Sequence, residues 1–353
     1  MRIMFLMLLC WALPLQAREA FALAGVTVAA GTEASFLVDT AGTQVPITVV
    51  HGANEGVVLT LTAGVHGDEF PSIFALQRLR QQLDPAQVSG TVILVHLANL
   101  AGFHGRRIAL NPRDDKNLNR EFPGDVAGSA TEQLAHFFTT EIVAVTDYLI
   151  DLHSGSAYQT LLPHAYSPVL HDDALDARTL AFAEATGLEH IVLYDERPND
   201  PVNSISYPNT AQTRGKPALT LEIGHLGQRD EASIEGVIEA CQRALRHLGI
   251  VSGAPLPQRS ARLYSRLAYA DSPVTGLFHP ESQVGAQVQE GQRLGLITDY
   301  FGELLAEIHA PATGTLLMLL ETPAVSAGET PATVAVPATS TTTTTTTTTT
   351  KTD

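Results

Sequence analysis

The sequence predicts an α/β fold, a largely parallel sheet with helices on both faces, followed by a smaller all-β region. Three observations carry this. Short apolar, β-branched runs alternate with amphipathic segments from Val45 to about Leu248. A stretch rich in Gly, Pro and Ser follows at Val251 to Pro257. Beyond it, short apolar runs are broken by Gly276, Gly285, Gly291, Gly295, Gly302, Gly314 and Gly328. Alternation of strand and helix patterns implies parallel strands joined by crossover helices. Short strands between regular turn signals imply a small β-sandwich or barrel.

In chain order, Val57 to Thr62 reads as a buried strand and Ile73 to Leu83 as a helix. Thr91 to His96 is a second strand, Glu132 to Val143 a helix, and Tyr148 to Ile150 a third strand. Ala174 to Ala185 is a helix, Ala218 to Leu221 a strand, and Ile234 to Leu248 a closing helix. Near the end of the β region, Glu307 to Gly314 resembles the hairpins of lipoyl- and biotinyl-type carriers. No lysine stands there to be modified, which excludes a carrier.

The ends of the chain are of a different character. Arg2 precedes an apolar run from Ile3 to Leu15, and small residues follow at Ala17, Ala20, Ala22 and Ala24. That is the pattern of a secretory signal peptide, and the run is shorter than the ~20 residues of a membrane span. The expected location is outside the cytoplasm, periplasmic or secreted, with no membrane span after cleavage. Cys10 lies in the leader, so Cys241 is left without a partner for an intramolecular disulfide. Thr339 to Asp353 is a Thr-rich, low-complexity tail with no apolar pattern. The expected division is therefore a signal peptide at 1–24, an α/β domain at 25–255, a β domain at 256–338 and a tail at 339–353.

The 353 residues carry 21 Lys and Arg against 37 Asp and Glu, a formal charge of −16. Such a chain has no general attraction for phosphate backbones, which excludes nucleic acid as a partner.

Ligands in parallel α/β sheets bind at the carboxyl ends of strands. Three segments follow predicted strands: Gly64-Val65-His66-Gly67-Asp68-Glu69, Asp151-Leu152-His153-Ser154-Gly155 and Glu222-Ile223-Gly224. His66 and Glu69 are spaced to converge on one point, and Gly64 and Gly67 free the backbone between the strand and that turn. His153 completes a two-histidine, one-glutamate set, the donor type of a catalytic zinc site. Glu222 is then available as a base that is not a ligand. By itself His66 reads equally as a hydrogen-bonded turn histidine, and a His-x-x-Glu pair is common by chance. Asp151, two positions before His153, is placed either to support a ligand or simply as a buried strand-end carboxylate. Phe103 to Gly124 holds Arg106, Arg107, Arg113, Lys116 and Arg120, five of the chain's 21 cations. This reads either as a solvated loop or as a source of guanidinium groups for a substrate carboxylate.

Four ordered motifs make the comparison specific: Gly64 to Glu69, Asn117-Leu118-Asn119-Arg120-Glu121-Phe122-Pro123-Gly124, Asp151 to Gly155, and Leu221-Glu222-Ile223-Gly224. Together they resemble the succinylglutamate desuccinylase/aspartoacylase family, a branch of the zinc carboxypeptidase-like superfamily, over roughly Val45 to Leu320. The resemblance implies a mostly parallel mixed sheet with a C-terminal β domain. It implies one Zn2+ per chain, held by His66, Glu69 and His153. Glu222 matches the general acid/base, Asn119 and Arg120 match the pair that binds a substrate carboxylate, and Arg106 is the match for the carbonyl-polarising arginine, with Arg107 and Arg113 close by. The implied reaction is hydrolysis of an amide beside a free carboxylate, in a small N-acyl amino acid or short peptide. Asp68 stands where aspartoacylases carry Asn, and Asp114-Asp115-Lys116-Asn117 where related deacylases carry Asp-Gly-Lys-Asn. Both departures point to a relative acting on a different acylated compound. Two other readings compete: an exported metallocarboxypeptidase that trims peptides, and a non-catalytic module that binds zinc or a peptide. Presence of Glu222 argues against the second.

Overall fold

The computed structural model describes residues 18–253, 256–257 and 259–338. Residues 1–17 of the expected 1–24 leader and the tail from 339 lie outside the described residues. Phe21–Leu23, within the segment read as leader, pairs antiparallel with Val26–Val28, and Leu23 is buried.

Among the described residues the main sheet has 13 strands. Its centre runs, in spatial order, through Ser89–Val95, Asn54–Ala63, Tyr148–His153, Ala218–Glu222, His164–Pro168 and His190–Tyr194. The first four of these are mutually parallel. His164–Pro168 runs antiparallel to Ala218–Glu222 and parallel to His190–Tyr194, so the sheet is mixed. On the outer side of Ser89–Val95, Thr43–His51 pairs antiparallel with it and with the edge strand Thr32–Thr40.

Alternation along each strand builds two cores. Leu59 and Leu61 face one side, with Val92 and Leu94. They meet the helices Phe70–Arg80, Asp173–Ala185 and Glu231–His247 through Leu76, Phe182 and Val237. Ile93 and Val95 face the other side, against Leu134, Phe138, Ile142 and Tyr207. Even the polar members of the alternation are satisfied: Thr60 Oγ1 lies 2.6 Å from Thr146 Oγ1 inside the second core.

All eight elements read from the sequence are present, with shifted ends. The expected Glu132 to Val143 helix is an α-helix, Ala130–Phe137, continued by a π-helical turn, Phe138–Val143. The Ser129–Glu132 capping box fixes its start.

The smaller C-terminal β region is a four-stranded antiparallel sheet: Leu304–His309, Arg293–Thr298, Gly276–Pro280 and Ala324–Val325. The main sheet also runs on into this part of the chain. Arg262–Ala270 pairs parallel with His190–Tyr194 and carries Ala332–Pro337 and then Gly314–Leu320 beside it. One side of the site cleft is consequently built from C-terminal residues.

Candidate active site

Asn54–Ala63, Tyr148–His153 and Ala218–Glu222 are neighbours in the sheet, and their carboxyl ends lie together. The register pairs His153 with Glu222 and Leu152 with Ala63. The chain leaves Ala63 through Gly64, whose φ of +68° favours glycine. A Cβ on Gly67 would lie 2.2 Å from the backbone N of Phe103, so only glycine lets the loop seat against helix Leu100–Gly105. Glu69 then forms the N-cap of Phe70–Arg80, with proline in the first turn.

This brings His66, Glu69 and His153 together. Glu69 Oε1 lies 2.7 Å from His66 Nδ1, and Oε2 lies 2.8 Å from His153 Nδ1. One ligand atom from each falls within 4.8 Å of the others, a group that could hold a metal ion. The remote ring nitrogens are held as well: His66 Nε2 faces Asn117 Oδ1 at 3.1 Å, and His153 Nε2 faces Asp151 Oδ2 at 2.8 Å. Such outer partners fix ring orientation and leave the Nδ1 atoms to bind. Asp151 answers to both sequence readings: it is fully buried at its strand end, and its carboxylate holds the His153 ring.

Electrostatics follow from this crowding. Burial disfavours charge on Glu69, but His66 and His153 outweigh it and bring its pKa down to about 2. Burial likewise opposes protonation of His153, and Asp151 and Glu69 reverse it, so its pKa stands well above 6.5. Glu222 has no such hydrogen-bonded partner. Burial, aided by the Glu69 and Asp151 charges, outweighs the neighbouring histidines and raises it to about 8.

A cleft of about 290 Å³ opens here, lined by His66, His153 and Glu222. Asn119 and Arg120 line it as well. Asn117 Oδ1 accepts a hydrogen bond from Asn119 N at 2.8 Å and sets their turn. The Asn119 side chain is largely engaged: Oδ1 accepts from Tyr207 N at 2.9 Å, and Nδ2 donates to Asp151 Oδ2 at 3.3 Å. Arg120 donates to the Asn119 carbonyl at 2.8 Å and extends into the cleft. The surrounding walls first, and the Arg197 charge second, lower its pKa.

Arg106 is placed elsewhere. It follows helix Leu100–Gly105 at φ +51°, is exposed, and is not among the residues that line the cleft. Arg107 is paired with Asp115, and Arg113 with the Ala41 carbonyl. Sequence reasoning missed four wall residues, Tyr166, Tyr194, Arg197 and Tyr269. No motif marks them, since they come from two short strands, a loop and the C-terminal region.

A cleft of this construction, with a two-histidine, one-carboxylate group at the ends of parallel strands and a half-buried acid beside it, defines a hydrolase-type site. The profile of the succinylglutamate desuccinylase/aspartoacylase catalytic domain matches residues 55–248. The chain is 33% identical over 299 residues to the N-alpha-acetyl-L-2,4-diaminobutyric acid deacetylase of Halomonas elongata, covering 83% of this chain and 85% of that one. It superposes with a TM-score of 0.78 on a succinylglutamate desuccinylase/aspartoacylase from Rhodobacter sphaeroides, 28% identical over 91% of this chain and 97% of that chain. The product-bound ectoine utilization protein EutE (DoeB) of Ruegeria pomeroyi gives 0.76, at 26% identity over 83% and 89%. The chain belongs to the succinylglutamate desuccinylase/aspartoacylase family, a family of amide-bond deacylases.

Proposed function

We propose that the protein is an exported, zinc-dependent deacylase that hydrolyses the amide of a small N-acyl amino acid beside a free carboxylate. The observation that carries this reading is the convergence of His66, Glu69 and His153 on one point, with Glu222 separate from them in the same cleft. Two imidazoles and a carboxylate, each imidazole fixed by an outer partner, are the donor chemistry of a three-ligand catalytic zinc site. When bound, zinc supplies Lewis acidity to the scissile carbonyl and to the attacking water.

The chain's own residues do the rest. Glu222, a carboxylate that lines the cleft beside the metal group without belonging to it, is the residue placed to accept and return a proton. It takes the water proton and delivers it to the leaving amine. The Arg120 guanidinium offers a fork to the substrate carboxylate, which fixes the amide at the metal end. Asn119 contributes by holding Asp151 and the Tyr207 backbone in place. The Halomonas relative is named a deacetylase of an acetylated amino acid. Acetyl is on that ground the first acyl group to test.

Export is proposed from the N-terminal pattern. Arg18 donates to the carbonyls of Gly52 at 3.0 Å and Gly90 at 2.7 Å, which ties it to the folded body. Cleavage after Ala17 leaves it intact, and N-terminal sequencing of exported protein should read from Arg18. A mature chain still beginning at Met1 contradicts export.

The function is tested by assaying zinc-loaded protein on N-acetyl amino acids, their amidated analogues and dipeptides. Hydrolysis of the free-acid N-acetyl compounds is expected, with amidated analogues poor. Preferential cleavage of dipeptides turns the assignment to a carboxypeptidase, and no hydrolysis of any compound overturns it.

A further inference from the structure

We infer that the hairpin tip Tyr300-Phe301, in the C-terminal β region, docks a second copy of this chain. Each copy seats its tip in a groove that the other carries.

The tip joins the strands Arg293–Thr298 and Leu304–His309. Asp299 closes it: its Oδ1 accepts from Phe301 N at 2.8 Å and from Glu303 N at 2.9 Å. Held in that turn, Phe301 is 91% exposed and Tyr300 76% exposed. Leu304 and Leu305 follow, 58% and 46% exposed. Nine large apolar side chains are exposed among the described residues, and these four fall within six positions. A fifth, Ile108, lines the same groove as Tyr300, a groove of about 550 Å³. Apolar residues exposed singly need no explanation, but a cluster of this kind marks a contact surface.

The groove supplies the complementary shape. Ala157, Leu277, Ala324 and Val325 line it, and its one carboxylate, Glu329, is engaged with Ser326 N at 2.9 Å. Phe301 does not line the groove of its own chain. Knob and hole therefore stand side by side on one surface, and a two-fold axis satisfies both at once. At these exposures the two aromatic rings present on the order of 300 Å² of surface. Two reciprocal contacts, burying groove and knob alike, reach about 1,200 Å², the lower end of a stable interface.

Charge favours this occupant. Glu303, beside the tip, is exposed and has no ion pair among the described residues. Arg106, two residues from Ile108, is likewise exposed and unpaired, whereas its neighbour Arg107 is held by Asp115. In the two-fold contact Glu303 of each copy meets Arg106 of the other. With a formal charge of −16 the chain has no general attraction for itself, so a local pairing of this kind is needed.

The test is sedimentation equilibrium of zinc-loaded protein over a dilution series. Wild type is expected at twice the chain mass. Phe301→Ser should raise the dimer Kd at least ~10²-fold, because a central aromatic is lost from both contacts. Its melting curve at monomer concentrations should match wild type, since the ring is exposed. Glu303→Arg and Arg106→Glu should each weaken the dimer at least ~10-fold by setting like charges opposite, and the two together should restore it. A wild type that stays monomeric throughout overturns the inference. So does a dimer that Phe301→Ser leaves unchanged, or a double reversal no tighter than the single ones. Monomeric protein that binds phosphatidylglycerol vesicles through Phe301 assigns the patch to a membrane surface and overturns it as well.

Discussion

His153 and Glu222 stand opposite each other in register on neighbouring strands, and burial acts on them in opposite directions. For the histidine, Asp151 and Glu69 overcome burial and the proton is held. For Glu222, burial dominates and the neutral acid is favoured, with a pKa near 8 against an ordinary 4.5. A group whose pKa rises on folding contributes stability below its unfolded value and loses that contribution as pH climbs through its folded value. In metal-free protein the window runs from about 4.5 to about 8. Glu222→Gln has no ionisation to suppress. Its melting temperature relative to wild type should therefore increase as pH is raised from 5 to 8. Parallel melting curves over that range would show that Glu222 is not held neutral by burial.

At the scale of elements, the metal group depends on a loop that admits no side chain at Gly67. A Cβ there meets the Phe103 backbone, not a flexible side chain, so the loop or helix Leu100–Gly105 must move. Gly67→Ala should cost at least the ~1–3 kcal/mol typical of overpacking. It should also lower bound zinc towards that of His66→Ala, measured by elemental analysis. Full zinc in a normally stable Gly67→Ala protein would contradict this role for the loop. The strand-end motifs around this loop were legible in the sequence because each directly follows an uninterrupted apolar run and the motifs recur in a recognisable order. Less was legible on the far side of the cleft. His164–Pro168 and His190–Tyr194 are five-residue strands opened by histidines, with no alternation long enough to recognise. Tyr194 and Arg197 were missed with them. Arg106 shows the complementary difficulty. Its motif was readable, but the direction of an exposed side chain after a left-handed turn was not.

Across the whole molecule, the C-terminal region is joined to the α/β part by shared strands, beyond any linker. Arg262–Ala270 continues the main sheet at His190–Tyr194, and Leu267, Tyr269 and Met318 wall the cleft. Backbone pairing across that seam couples the unfolding of both parts. Residues 18–338 should consequently unfold in one transition by both circular dichroism and Tyr fluorescence. A chain ending near residue 253 should fail to fold, since its last strand pair would expose an apolar edge. Two well-separated transitions would show that the seam transmits little. The composition alone, 44% hydrophobic with a charge of −16, carried no information about this seam. It depends on which strands pair, and pairing between residues some 70 positions apart leaves no local pattern.

The central claim is that Glu222 moves the proton in an amide hydrolysis performed beside His66, Glu69 and His153. The most direct measurement is the turnover of N-acetyl amino acids by wild type and Glu222→Gln at matched zinc content. Glutamine keeps the size of the side chain and removes its ability to accept a proton. Turnover should fall by ~10²–10⁴, the range for a positioned acid/base, while zinc content and folding stay near wild type. A folded, zinc-replete Glu222→Gln protein that turns over as fast as wild type would contradict the account.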